Sequence, residues 1–302
     1  MDTAQQRIRA PFQSVHLITN HQSAMNYLEL TLILAAGSFG AGLLGALTGL
    51  GGGVVIVPLL SLGLGIDLRY AVGASLIAVI ATSSGAAAAY VKEGYSNIRI
   101  GMFLEIATTI GALIGAFLAD ILSTQFIAII FGLVLIYSAY LSRRPTEEHS
   151  DDIQPDQMAV RMRLNSSYPV DGVEKHYMVH NVGAGFSLMG VAGILSGLLG
   201  IGSGAVKVLA MDHAMHLPFK VSTTTSNFMI GVTAAASAGV YLSRGYIDPA
   251  LAMPVMLGIL AGSIVGAKVL MVAQTKSLRI VFGVVILVLG LEMIFNGITG
   301  RI

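Results

Sequence analysis

The groups able to do chemistry in this chain stand inside stretches that are otherwise apolar: two clusters of small residues, one lysine, one glutamate and two runs of hydroxyls. Gly51-Gly52-Gly53 interrupts GLLGALTGLGGGVVIVPLL, and Gly202-Ser203-Gly204 interrupts GILSGLLGIGSGAVKVLAM. Glycine permits the backbone angles that end a helix, and in hydrocarbon such a break survives only where protein or a water-filled cavity satisfies its polar groups. The half-helix that follows each break opens with N–H groups lacking intrahelical acceptors and carries roughly +0.5 of a charge, an anion site in the making. Lys207, four residues after Ser203, adds a full positive charge in a segment where lysine is costly. It must face a partner or a wet path, or snorkel to an interface.

Hydroxyls follow each break: Ser75, Thr82, Ser83 and Ser84 after the first, Ser222-Thr223-Thr224-Thr225-Ser226-Asn227 after the second. Hydroxyl and amide donors hold anionic oxygens without a fixed charge, which permits release as well as binding. Ser and Thr in membrane helices also bond their own backbone. Ser75, Thr225, Ser226 and Asn227 are the expected members of a substrate site with Gly51, Gly52, Gly53, Gly202, Ser203, Gly204 and Lys207. Glu105 reads either as a proton-coupling carboxylate or as an interface residue near Arg99.

The elements that position these residues come from a duplication. Gly200 − Gly49, Gly202 − Gly51 and Gly204 − Gly53 all give 151, and the same offset pairs Arg69 with Lys220, Ser75 with Ser226 and Tyr90 with Tyr241. Under it Lys207 matches Ile56 and Glu105 matches Met256, so the charges are one-sided. Apolar spans are expected at 28–50, 53–65, 70–91, 100–122 and 125–141, then at 179–199, 204–217, 221–242, 250–272 and 278–298. Residues 28 to 65 as one helix would run about 57 Å, nearly twice a membrane core of roughly 30 Å. A break is required at the glycines, and Pro58 favours a new helical turn beginning shortly before it. Gly111/Gly115 and Gly262/Gly266 have the spacing of close helix packing.

The predicted fold is an all-α polytopic membrane protein of two four-helix repeats, about eight transmembrane helices, with a broken first helix and a half-helix in each. The domains are a polar N-terminal tail over 1–27, repeat 1 over 28–141, a solvent-exposed polar linker over 142–178 and repeat 2 over 179–302. The tail lacks the apolar core of a cleaved signal peptide. Four spans per repeat with both termini cytoplasmic place eleven basic residues inside and four outside. Five spans per repeat, with inverted halves and the N-terminus outside, give ten and five. The count, with like charges at Arg69 and Lys220, leans to parallel repeats.

Composition sets the class. Hydrophobic residues make up 55% of the chain and charged ones 11%, against about a quarter charged in soluble domains. A net charge of +1 gives no basic surface for nucleic acid, and the absence of Cys excludes disulfides and thiolate sites. All seven histidines lie in tails, loops or span ends. Ser203 therefore lacks a base within a span, and no metal cluster is expected there. The chain reads as no enzyme, with no cofactor.

The two breaks, AVGASLIAVIATSSGAAAAY at 71–90 and TTTSNFMIGVTAAASAGVYLSRGYIDP at 223–249 together resemble the sulfite exporter TauE/SafE family, also known as toluene-sulfonate uptake permeases. The resemblance spans both repeats. It implies an eight-helix permease made by duplication of a four-helix unit, carrying sulfite, sulfonates, sulfoacetate or similar sulfur anions across the cell inner membrane. In the second motif Lys207 matches the family pattern, Ser203 replaces a glycine, and Leu209 stands where Pro is common. The expected partners are a small anion, the lipid bilayer and a coupling proton or cation, and the mechanism is alternating access between the repeats. The rival readings are a permease for a carboxylate or inorganic anion and a non-transporting scaffold or sensor subunit.

Overall fold

The computed structural model describes residues 27–48, 51–92, 96–142, 156–170, 173–272 and 275–301. Apart from Tyr27, the expected N-terminal tail lies outside them, as do Gly49 and the start of the polar linker. In chain order the helices are α1 (Tyr27–Thr48), α2 (Gly53–Pro58), α3 (Leu68–Lys92), α4 (Ile98–Ile121) and α5 (Thr124–Ser142). A short α6 (Gln157–Arg161) and a hairpin of β1 (Ser166–Val170) and β2 (Val173–Tyr177) follow. Then come α7 (Val182–Leu199), α8 (Gly204–Leu209), α9 (Phe219–Ser243), α10 (Pro249–Val272) and α11 (Thr275–Thr299).

Five of these helices are long and apolar enough to cross a membrane. Two of them start with ordinary capping chemistry. The Asn97 side chain accepts from Ile100 N at 3.1 Å to open α4. Asp248 accepts from Ala250 N at 2.8 Å just before α10, whose first residue is Pro249. The protein exposes apolar residues and buries polar ones within its apolar core. On α4 the exposed residues Met102, Ile106, Ile110, Ile114, Phe117 and Ile121 recur every three or four positions, while Ser75, Ser222, Thr233, Ser237 and Lys207 are buried. That inversion of the soluble pattern is what a lipid solvent selects. The chain is an integral membrane protein.

Two long pairs are built on glycine. A Cβ on Gly111 would stand 2.2 Å from Gly190 O and one on Gly115 2.0 Å from Ile194 O, so α4 and α7 touch backbone to backbone. The same occurs between α10 and α1, where Gly262 faces Phe39 O at 2.0 Å and Gly266 faces Leu43 O at 2.6 Å. In both seams the residue numbers rise together, so the helices of each pair run parallel. The glycines expected to pack do so.

Down the centre, α3 lies beside α9. Tyr70 meets Tyr246, Val79 and Ile230 flank Gly202, and Ser83 donates to Asn227 O. Numbers rise along one helix as they fall along the other, so these two elements, 151 residues apart, are antiparallel. The halves are therefore inverted, and the lean toward parallel repeats is corrected: Arg69 and Lys220 sit at opposite ends of the molecule. The physical reason is the short element. Because α2 starts from the break inside the protein, α1 and α3 run the same way, each parallel to α10.

The latter part of the expected solvent-exposed linker is folded. Its residues Ala159, Leu164 and Tyr177, with Val179 just after it, are buried with Ile100, Met211, Val221 and Met229, forming a cap over the starts of α4 and α9. Asn97 ties the cap down, donating to Leu164 O at 3.0 Å and to the Tyr177 hydroxyl at 2.7 Å. Asp156 accepts from Met158 N and Val182 N, both at 2.9 Å, capping α6 and α7 together. Those backbone bonds hold its carboxyl below the usual carboxylate range.

Candidate functional site

The two breaks meet in the interior. Gly51, Gly52, Gly53, Gly202, Ser203 and Gly204 are all buried. A Cβ on Gly53 would lie 3.1 Å from Gly200 O, and one on Gly51 3.7 Å from Ile201 O, so one break packs on the other. Gly51, Gly200 and Gly202 have φ of +79°, +67° and +70°. Ser203 has φ of +46°, an uncommon left-handed setting for a residue with a side chain. From this contact α2 and α8 run in opposite directions, each with its N-terminal end at the centre.

Each half-helix loosens into a π-helical turn, Leu59–Gly63 after α2 and Ala210–Ala214 after α8. Pro58 precedes the first and Leu209 the second, so proline does not cause the turn. The departure at Leu209 leaves the geometry intact. The first half-helix starts at Gly53, where the expected 53–65 span begins and five residues before Pro58.

The hydroxyl residues divide by what they bond. Ser75 Oγ donates to Gly200 O at 2.8 Å, across the two halves, and lies 3.4 Å from Gly53 O. Ser226 Oγ donates to Gly204 O at 3.3 Å, matching the Ser75–Gly53 contact under the 151 offset. Both hydroxyl protons hold the breaks together. Thr225 Oγ1 accepts from Asn97 N at 3.0 Å, beneath the cap. Two of the expected site residues are different: Ser203 Oγ and Asn227 Nδ2 are buried without a hydrogen-bond partner, as is Thr223 Oγ1 in the same run. Buried polar groups are rarely left so, and an orphan at a functional site asks for an acceptor.

Lys207 is fully buried, one helical turn beyond Ser203, so snorkelling is excluded. Its ammonium donates to Thr233 Oγ1 on α9. Thr233 donates in turn to Glu105 Oε1 at 2.6 Å, and Glu105 Oε2 stands 4.0 Å from Lys207 Nζ. Glu105 is thus an interior residue; Arg99 instead reaches Arg163 O at 3.4 Å. The sequence reading does not single out Thr233 or Asn97, and names Ser83 only as one of the hydroxyls after the first break. A signal for Thr233 existed, because a lone acid and a lone base in membrane interiors need partners, and Thr233 lies two helical turns past Ser226.

The family model for sulfite exporter TauE/SafE matches residues 34–293. The chain is 27% identical over 270 residues to a "Probable membrane transporter protein", YunE, of Bacillus subtilis, covering 85% of this chain and 95% of the relative. It is 28% identical over 283 residues to another protein so named from Methanocaldococcus jannaschii, covering 88% and 96%. A third such relative, YdhB of Bacillus subtilis, is 25% identical over 222 residues, covering 73% and 82%. No solved structure matches the chain significantly. An interior built around two buried helix breaks, in a chain matched along most of its length, has one family to account for it: this is a membrane transporter of the sulfite exporter TauE/SafE family.

Proposed function

We propose that this transporter is a permease for small sulfur-containing anions of the sulfite, sulfonate or sulfoacetate type. The observation that carries the reading is the pair of orphan donors: Ser203 Oγ, buried at the head of α8 one turn from Lys207, and Asn227 Nδ2, buried on α9 next to Ser226, which bonds the α8 break. A sulfonate offers several acceptor oxygens and no acidic proton, and converging N–H and O–H donors beside one cation suit it. The substrate would lie at the two breaks, against Gly51, Gly52, Gly53, Gly202 and Gly204, with Ser75, Thr225 and Ser226 shaping the surroundings.

Ser203 is 1% exposed, Asn227 2% and Lys207 0%, so this conformation is closed to both faces. Transport then requires alternating access. The chain carries two inverted repeats, each of four long helices and one returning half-helix. In this reading the rocking bodies are α1, α2 and α3 with α10, and α7, α8 and α9 with α4, each borrowing the third long helix of the other half; the packing of α10 on α1 and of α4 on α7 supports it. The two bodies slide along the α3–α9 contact.

Inverted halves also reset the orientation. With five passes per repeat the sequence count puts ten basic residues inside, which would place the cap at the cytoplasmic face and both termini on the other side of the inner membrane. Four passes per repeat would keep the termini cytoplasmic. The chain has no cysteine, so single substitutions such as His176→Cys and Thr299→Cys can be labelled from either side. Labelling of the His176→Cys variant from outside intact cells would reverse the orientation.

The function is tested by thermal shift of the purified protein against sulfite, thiosulfate, taurine, sulfoacetate and small carboxylates. A ligand that binds only the folded state raises its stability by about 2.7 kcal/mol at a hundredfold excess over Kd. Stabilisation by carboxylates and not by sulfur anions would move the substrate class.

A further inference from the structure

We infer that Glu105, Thr233 and Lys207 form a proton site coupled to the anion, so that one proton binds at Glu105 whenever Lys207 turns to the substrate. This deepens the permease reading and rests on it. The three side chains form one hydrogen-bonded chain from ammonium through hydroxyl to carboxylate, on three different elements, α8, α9 and α4. Glu105 Oε1 accepts from Thr233 and, at 3.3 Å, from Thr109, while Oε2 is buried with no donor. A proton has an open seat at Oε2.

The logic is electrostatic. In this conformation the carboxylate and the ammonium neutralise one another inside the protein. An anion drawn by Ser203 competes with Glu105 for Lys207, one helical turn away. If Lys207 swings toward it, Glu105 is left as a buried charge without a partner, the state that proteins avoid most strongly. A proton taken from water onto Oε2 removes that charge, and the site then holds anion, ammonium and neutral acid with no added net charge. Release runs the sequence backward, returning the proton to water and the ammonium to the carboxylate.

Among the described residues no other ionisable group competes for the role. On α4 the remaining charges are Arg99 and Asp120, near its two ends. The facing helix α7 carries none along its length, and α9 has Lys220, Tyr241 and Arg244 only near its ends. Arg244 is engaged with Asp120 at 3.7 Å and with Ala116 O at 2.7 Å. Past Lys207 on the same short element stand Asp212 and His213, which face each other at 3.8 Å. The counterpart residues in the other half, Ile56, Thr82 and Met256, carry no charge, so the molecule has one such site and not two.

Two measurements on the full-length protein test this separately. The first needs no substrate: infrared spectra of the parent, K207M and K207M/E105Q at neutral pH. K207M should gain a carboxylic-acid C=O band that is absent from the parent and from the double variant; a K207M protein without that band overturns the proposal. If K207M fails to fold, K207Q serves with the same reading. The second uses proteoliposomes and labelled methanesulfonate, an anion of a strong acid whose own charge does not change near neutral pH. Uptake by the parent should rise at least tenfold when a proton gradient points inward, and uptake by E105Q should ignore the gradient. Parent counterflow that is indifferent to the gradient overturns the coupling and leaves the permease standing. Absence of any methanesulfonate counterflow counts against the sulfonate permease, and the infrared result then decides the proton site by itself.

Discussion

The two ends of the central contact share one backbone and differ in chemistry. Around α2 the positions that match Lys207, Glu105, Asn227 and Ser203 are Ile56, Met256, Leu76 and Gly52. Ile56 and Leu76 are fully buried in apolar surroundings. Around α8 the same scaffold holds an ion pair, an orphan amide and an orphan hydroxyl. The breaks, the π-helical turns and the serine-to-carbonyl bonds are common to both. Duplication supplies the shape, and side chains of one copy supply the site.

The largest effect should come from moving the charge to the wrong copy. Ile56→Lys buries an ammonium where position 256 is methionine, which should cost about 3–5 kcal/mol and most of the folded protein. Adding Met256→Glu should recover part of it. Fluorescence-detected size exclusion after heating measures both, and a stable I56K single variant would mean that the first half is wetter than its packing implies.

Next in size are the glycine seams, where the halves are alike. Gly115→Val and Gly266→Val each drive a side chain into a backbone carbonyl and should each destabilise by about 1–3 kcal/mol. Unequal losses, seen by thermal unfolding in detergent, would break the equivalence of the α4–α7 and α1–α10 pairs.

The serines sharpen the contrast. Ser75→Ala and Ser226→Ala each remove a bond that joins a break, and should lower stability by about 0.5–1.5 kcal/mol. Asn227→Ala and Ser203→Ala remove donors that bond nothing in the closed state. They should leave the unfolding temperature nearly unchanged and weaken sulfonate binding about tenfold each. Titration by thermal shift separates the two classes, and a stability loss at Asn227 equal to that at Ser226 would contradict the division.

The smallest effect concerns the cap. The Asp156 carboxyl is held below its unfolded value by two backbone donors. Its contribution is therefore present above the ordinary carboxylate range and fades as the pH falls through the depressed folded value. Asp156→Asn should lower the unfolding temperature slightly at neutral pH, and the difference from the parent should vanish in acid. A difference that persisted there would assign the effect to packing.

Much of the fold could be read beforehand because its causes are local. Hydrocarbon thickness dictates span length, and Gly51 to Gly53 and Gly202 to Gly204 announce the breaks, so each apolar span falls within a few residues of its helix. Direction could not be read the same way. It depends on whether α2 turns back, and a basic count of eleven to four against ten to five is too close to decide that. The cap escaped notice because few of its residues face in, chiefly Ala159, Leu164, Tyr177 and Val179 with Tyr168 packed beside them. In the candidate site, Lys207 and Glu105 stood out as charges in apolar runs, but 102 residues separate them (207 − 105) and Glu105 belongs to the other repeat. Their pairing follows from α4 docking against the opposite half, which no local pattern encodes.

The central claim is that the orphan donors beside Lys207 hold the anion. The most direct measurement is methanesulfonate-dependent stabilisation of the parent and of the S203A/N227A variant, compared in one titration. The account predicts a rise in unfolding temperature for the parent and a curve displaced about a hundredfold in concentration for the variant. Coincident curves, or no response in either protein, would contradict it.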